Sequence, residues 1–427
     1  MLSSLFIGNE KNINRSSVIW NSIGGALSAG QTAIILIFIS HKMGHTIAGM
    51  VTIAYAVANL FSAAGKYGIR TFQVTDNKEK YSFSNYFWNR CITVFLALII
   101  AGGYALFCSV HQGYSAEKVL ILCEVIVLKM IEAFEDIYWG RLQQKGRLDI
   151  GARIMAIQCF IYTLCICIMV ILGFNIHICL SAGIITSIIL GILFCSSVSS
   201  HLMIDDLKPD LTKVIQLLKE CFTLCIGITL SIYVGNIPKY LIDAYMDSET
   251  QAIFGYIMMP VFVVTLLNQF IYQPTIKHLG DLWSERKVKQ FKSKVFRQCL
   301  IVIGLMVIIT VGGLLIGLPI LSIMYHTDLS IYRLEFAILL IGGSLYALAY
   351  YLNVPITTIR KQNYIAYGYV FASVISLVFG KSFVVKHGML GASLLYLMIN
   401  AILVVIYFFS LLIGIRNIEK SRKNLTT

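Results

Sequence analysis

The length of the apolar blocks constrains this chain most. Blocks of about 20 predominantly hydrophobic residues, enough for an α-helix to cross a bilayer, follow one another through the 427 residues with short polar stretches between them. Twelve are read, at about 17–39, 46–65, 89–110, 117–138, 152–173, 177–198, 215–236, 251–272, 298–318, 334–354, 364–381 and 389–414. Backbone polar groups cannot stay open in hydrocarbon, so each block is expected to be helical. A β-barrel would instead need alternating segments about half as long. The expected fold is therefore all-α and polytopic. Composition agrees, with 58% hydrophobic and 13% charged residues, against about 25% charged in soluble domains. The 11 cysteines fall mostly inside apolar blocks. They lack zinc-site spacing and read as small hydrophobes.

The basic residues orient the spans. With the N-terminus placed in the cytoplasm, Lys42, Lys118, Lys239, Arg333, Lys381 and Lys386 fall outside and Lys129 falls within a span; the rest of the 34 lysines and arginines lie inside. Such crowding is the positive-inside signature, and an even number of spans returns the C-terminus to the cytoplasm as well. Orientation thus accounts for the net charge of +13. No nucleic-acid-binding motif accompanies it, so no nucleic-acid partner is expected. Trp20, Trp88 and Trp139 fall where interfacial anchors belong. The basic segment from Lys277 to Arg297, interspersed with Leu279, Leu282, Trp283 and Phe291, reads either as a surface helix on anionic lipid or as a solvated connector.

Twelve spans suggest six plus six: one half over 1–200, a cytoplasmic linker over 201–214 containing Asp205, Asp206 and Pro209, and a second half over 215–427. The external links Met43–Gly49 and Met246–Gly255 echo each other. Repeated halves are common in transporters that rock about a central site. Pro260 falls mid-span and is expected to bend its helix.

Ionisable residues at membrane depth are costly and default to functional hypotheses. The fourth span carries Glu124, Lys129, Glu132, Glu135 and Asp136. At about 100° per residue, with Glu124 at zero, Glu135 lies near about 20°, Glu132 about 80°, Asp136 about 120° and Lys129 about 140°. This stripe cannot face lipid, so it faces a water-filled cavity or paired partners. Lys129 sits near the midplane, with Glu132 within i,i+3 reach. In the functional reading Lys129 meets an anionic cargo and Glu124 or Glu132 carries a coupling H+ or Na+. In the structural reading the charges are an ion-pair network. Asn21 and Asn59 are candidate cavity residues, or ordinary interhelical hydrogen bonds. Arg15, Arg70 and Arg90 flank cytoplasmic helix ends, where guanidinium groups grip a diphosphate bidentately or simply set topology.

Three segments carry a resemblance to a known family: Arg15-Ser-Ser-x-x-Trp20-Asn21; Gly68-Ile-Arg70-Thr-Phe-Gln73 through Tyr86 to Arg90; and Glu132-Ala-Phe-Glu135-Asp136 followed by Gly140, Gln143-Gln144 and Gly146-Arg147-Leu-Asp149. In these the chain resembles the Wzx-type polysaccharide flippases of the superfamily that also contains the MATE multidrug exporters. The second half matches in topology and hydrophobicity only. The resemblance implies a cargo of undecaprenyl-diphosphate-linked oligosaccharide. That cargo would move from the cytoplasmic to the outer leaflet of a bacterial inner membrane by alternating access, with cation antiport as a driving force. It also implies work alongside membrane lipids and a polysaccharide polymerase and export machinery. Substrate contact is carried onto Arg15, Arg70, Arg90 and Lys129.

A MATE-like drug exporter is the nearest alternative, although Lys129 and the basic entrance argue against cationic cargo. A membrane-embedded polymerase or ligase is a second. Its kind carries catalytic groups on a long external loop, whereas the external loops here are short and hold no nucleophile–base pair. No nucleotide-binding Gly-rich motif is present, so no enzyme activity and no cofactor are expected.

Overall fold

The computed structural model describes residues 13–76, 79–198, 202, 207, 208, 210–272 and 275–423. Asp205, Asp206 and Pro209 of the linker lie outside the described residues. The described chain is built of helices, with no strand among its elements. These are α1 (Ile13–Met43), α2 (His45–Lys66), α3 (Ile69–Thr75), α4 (Phe83–His111), α5 (Ala116–Gln144), α6 (Leu148–Ile171), α7 (Ile176–Ser197), α8 (Leu211–Tyr245), α9 (Ser248–Tyr272), α10 (Thr275–Ser284), α11 (Val288–Gly312), α12 (Leu318–Tyr325), α13 (Arg333–Thr358) and α14 (Asn363–Lys423). A π-helical turn, Gly313–Gly317, joins α11 to α12.

Among the described residues, nine helical stretches are long and apolar enough to cross a membrane. The α5 helix has the length but carries the charged stripe, and is not one of the nine. The last stretch contains the two final predicted spans, separated at Gly388, whose φ of 56° and ψ of −135° break the helical path. That left-handed backbone suits glycine, which has no Cβ to clash.

Local chemistry sets the boundaries. The α1–α2 connection is a single residue, Gly44 with φ 87°, shorter than the link read from the sequence. Serine side chains cap two helices: Ser82 accepts from Asn85 N at the start of α4, and Ser115 from Lys118 N at the start of α5. Asn175 caps α7 through His177 N. Each cap satisfies one amide that the first turn leaves open. The region between the second and third predicted spans holds α3, whose Ile69 and Gln73 are fully buried. Trp139 is also buried, within a cluster of Leu142, Ile150, Ile154 and Phe194, so it is a core residue and not an interfacial anchor. Trp88 is 38% exposed, and its indole donates to Leu207 O at 2.6 Å.

The chain forms two compact units, Met1–Ile232 and Tyr233–Thr427, and the division falls within α8. In the first unit α5 is central, touching α2, α3, α4, α6 and α7, while α1 packs on α6. Small residues let α2 approach α5. Ser62 donates to Lys129 O at 3.2 Å, and a Cβ at Gly65 would lie 3.3 Å from Met130 Sδ. This is how helices pack where the surrounding lipid gives no hydrophobic drive.

In the second unit α13 is central, packing on α9, α11 and α14. The buried residues of α13 are uncharged, Lys239 of α8 is buried elsewhere in the same unit, and Gly342-Gly343 provide the close approach. A Cβ at Gly342 would meet the Leu397 backbone at 3.2 Å, and one at Gly343 would run into Val261. Pro260 lies within α9 as expected, and Pro238 and Pro355 lie within α8 and α13.

Gly342→Ala is therefore expected to destabilise by about 1–3 kcal/mol, as overpacking does. At Gly102, where nothing lies within 4 Å, the same change is expected to be neutral or stabilising, given the higher helix propensity of alanine. Thermal unfolding in detergent distinguishes the two.

Candidate functional site

The central position of α5 follows from its sequence. Charges that cannot face hydrocarbon must find partners on neighbouring helices, and α5 has neighbours on several sides. Glu124 Oε2 lies 2.9 Å from His177 Nδ1 on α7, with both side chains partly exposed. Further along, Lys129 is 2% exposed. Its ammonium donates to Glu132 at 2.8 and 3.0 Å and lies 5.6 Å from the ring centroid of Tyr55. Tyr162 of α6 donates to Glu132 Oε1 at 2.5 Å and also bonds Gln31 of α1. Cys159 Sγ lies 3.4 Å from the same Gln31 oxygen. One polar chain thus ties α1, α5 and α6, with Tyr55 of α2 beside it.

A second cluster surrounds Asp136. Arg70 of α3 donates to Asp136 Oδ1 at 2.9 Å and, through Nε and Nη2, to Gln143 Oε1 at 3.1 and 2.9 Å. From α4, Arg90 donates to Asp136 Oδ2 at 3.1 Å. Its other terminal nitrogen donates to Gly65 O, which also accepts from Thr93 at 2.8 Å. Gly65 O belongs to the last turn of α2, where carbonyls lack intrahelical partners and carry the negative end of the helix dipole, so a buried guanidinium suits that end. Two arginines share one aspartate, which leaves a positive charge in excess. Lys66 adds to it, acting electrostatically on both Glu132 and Asp136.

Below this cluster a surface group closes the helix end. Lys145 donates to Glu79 Oε1 at 2.5 Å and Arg141 reaches the same atom at 3.5 Å. The Lys145 hydrogen bond holds the Glu79 carboxyl below the usual carboxylate range. Asp76 accepts from Lys80 N, Tyr81 N and the Tyr86 hydroxyl, fixing the loop that carries Glu79.

The structure therefore brings Arg70 and Arg90 together at Asp136, and Lys129 and Glu132 together with Gln31. Of these, Arg90 is fully buried and Arg70 keeps 24% of its side chain exposed. Arg15 and Asn21 on α1 and Asn59 on α2 are exposed and join neither cluster. Glu124 stands apart with His177. Sequence reasoning did not assign roles to Tyr162, Gln158 or Gln143. The available signal was Gln158 and Tyr162 four residues apart on one face of a largely apolar span. Among the described residues no group of three or more His, Cys, Asp and Glu side chains is arranged to hold a metal.

No protein-family model matches the sequence, and no curated protein does. Solved structures do match. The lipid II flippase MurJ in an inward closed conformation superposes with a TM-score of 0.68 at 15% identity, covering 92% of this chain and 87% of that one. A multidrug-resistance MATE family transporter of the MOP superfamily, outward-facing, gives 0.66 at 16% identity, with 98% of each chain covered. The chain has the MATE fold. A third match is a MOP superfamily transporter from Pyrococcus furiosus, at 0.61 and 15% identity with 98% of each chain covered, whose structure is described by a reversed polarity of its binding pocket. At these identities the MATE fold is what is shared.

Removing one member of a buried ion pair strands the other, at a cost of about 3–5 kcal/mol, whereas replacing both is often close to neutral. Lys129→Met is accordingly expected to lower the melting temperature of the purified protein. The double variant Lys129→Met/Glu132→Gln should recover most of the loss. A double variant as unstable as the single one would show that the pair is not the cause.

Proposed function

We propose that this chain is a flippase that moves undecaprenyl-diphosphate-linked oligosaccharide from the cytoplasmic to the outer leaflet of a bacterial inner membrane. It acts by alternating access and serves the synthesis of a cell-surface polysaccharide. The observation that carries this reading is the excess positive charge on Asp136: Arg90 neutralises the aspartate from within, and Arg70, partly exposed, is the surplus cation. A guanidinium so placed can exchange its parking contacts with Asp136 and Gln143 for the oxygens of a diphosphate, which it binds bidentately. Buried Arg90 then serves as a positioning residue, and Lys129 adds positive charge deeper in the unit. The likeness in fold to a lipid II flippase supports a lipid-linked cargo.

In this reading the chain has twelve spans with both termini in the cytoplasm, where the basic residues lie, and works beside a polymerase and export machinery without being an enzyme itself. A coupling H+ or Na+ would be carried by Glu124 or Glu132. A drug-exporter reading has the MATE fold in its favour, but the surplus arginine repels cationic cargo.

Arg70→Ala is expected to slow flipping of a diphosphate-linked lipid in proteoliposomes by about 10- to 100-fold, the equivalent of about 1.5–3 kcal/mol for a hydrogen bond to a charged group. Arg70→Lys, which keeps the charge and loses the fork, should recover only part of it. Full activity in Arg70→Ala, or export of a lipophilic cation by the wild type with no lipid flipping, would overturn the proposal. In a companion measurement, Glu124→Gln should remove the dependence of flipping on an imposed pH or sodium gradient. An unchanged gradient dependence takes Glu124 out of the coupling.

A further inference from the structure

The carboxylates of α5 are not held alike. Glu124 faces His177, Glu132 faces Lys129 and Asp136 faces two arginines. Glu135 is 6% exposed, and among the described residues no cation pairs with it. Its two oxygens accept from a single amide nitrogen, Gln158 Nε2, at 3.0 and 2.8 Å. The same nitrogen lies 3.1 Å from Ser187 O and 3.2 Å from Ser187 Oγ. An amide has two N–H groups, and here they are shared among four acceptors, while an ionised carboxylate alone offers about four acceptor positions. The donors fall short of what a buried anion requires.

The groups around Glu135 do not supply a counter-charge. On α5 itself Glu132, of like charge, and Tyr138 act on it electrostatically, and Asp136, next in the chain, is taken up by Arg70 and Arg90; α6 contributes the neutral Gln158; α7 contributes Ser187 and Cys195; and α4 contributes Cys91, which acts on Tyr138. An isolated carboxylate in such surroundings takes a proton in preference to staying charged.

The place is also accessible. Glu135 lines a cavity of about 440 Å³ between α4, α5 and α7, walled by Val94, Leu98, Met130 and Phe134. That volume lies within the range of about 300–1,000 Å³ typical of small-molecule sites. Two residues of its wall, Ile188 and Ile192, are 43% and 65% exposed, so it opens on the apolar outer surface of α7. Gly191 keeps the floor open, because a side chain there would collide with Glu135 Oε1.

We propose that Glu135 is held as a neutral, exchangeable carboxylic acid at the floor of this cavity, a modification site that small apolar carboxyl reagents reach from the hydrocarbon. The matching reagent class is a hydrophobic carbodiimide. The carboxyl proton passes to a carbodiimide nitrogen, and the carboxylate oxygen bonds to the central carbon as one C=N π bond is lost. The resulting O-acylisourea rearranges by O-to-N acyl transfer to a stable N-acylurea, with no further reactant needed.

The test treats the full-length protein in lipid nanodiscs with dicyclohexylcarbodiimide and locates adducts by peptide mass spectrometry. An opposite charge that lowers a carboxyl pKa by one unit reduces its neutral fraction about tenfold, so Glu135 should be labelled at least about tenfold faster than Glu132 or Asp136. Labelling should slow as the pH is raised. A charged, water-soluble carbodiimide should mark exposed loop carboxyls such as Glu285 and spare Glu135. In infrared spectra at neutral pH, the band of a protonated carboxyl should be present in the wild type and lost in Glu135→Gln. Absence of the adduct on Glu135, equal rates at Glu132 and Asp136, or no loss of the carboxyl band in that variant would overturn the proposal. None of these readouts depends on transport, so the result stands apart from the flippase reading.

Discussion

The first unit is organised by the cost of placing charge in hydrocarbon. Several charged side chains on one membrane-length helix are tolerable only if that helix is surrounded by others bearing complementary groups. This requirement puts α5 at the centre and dictates what its neighbours carry: His177 on α7, Tyr162 and Gln158 on α6, Gln31 on α1, Arg90 on α4 and Arg70 on α3. The second unit has a central helix too, yet α13 packs through glycines and buries uncharged side chains. The two units therefore share an arrangement and differ in chemistry, with the ionic machinery concentrated in the first.

Much of this was legible in the sequence because the signals were physical and repeated. Apolar length located the helices, and the angular positions of Glu124, Lys129, Glu132, Glu135 and Asp136 required that the fourth span turn inward. What the sequence left open was whether a cavity or a set of partners would meet the stripe. Partners meet most of it, because side chains such as Tyr162 and Gln158 look ordinary in an apolar span until the fold sets them against a carboxylate. Arg90 shows the same ambiguity in reverse. A basic residue at a helix end reads as an exposed topology signal or an entrance, and only the approach of Gly65 O and Asp136 makes it an interior residue. Trp139 was misread for a related reason. Its position along the helix matches a membrane interface, but its side chain is buried in a cluster with Ile150 and Phe194.

Similarity in fold at about 15% identity fits this division of labour. Helix length, small residues at close crossings and turn chemistry can be met by many sequences, so they preserve architecture with little trace in identity. The pairing of Arg70 and Arg90 on Asp136 is a narrower solution, because it needs three particular side chains from three helices.

The reach of α5 to so many partners bears on how the chain is made. As α5 emerges during synthesis, Arg70 and Arg90 have already been translated, whereas Gln158, Tyr162 and His177 have not. Asp136 can be neutralised at once. Glu124 and Glu135 must wait for α6 and α7, and Lys129 with Glu132 can offer each other only local relief. The α5 helix is thus poorly suited to entering the bilayer alone, and its lasting insertion belongs to a later step in which α6 and α7 arrive and the bundle closes around it.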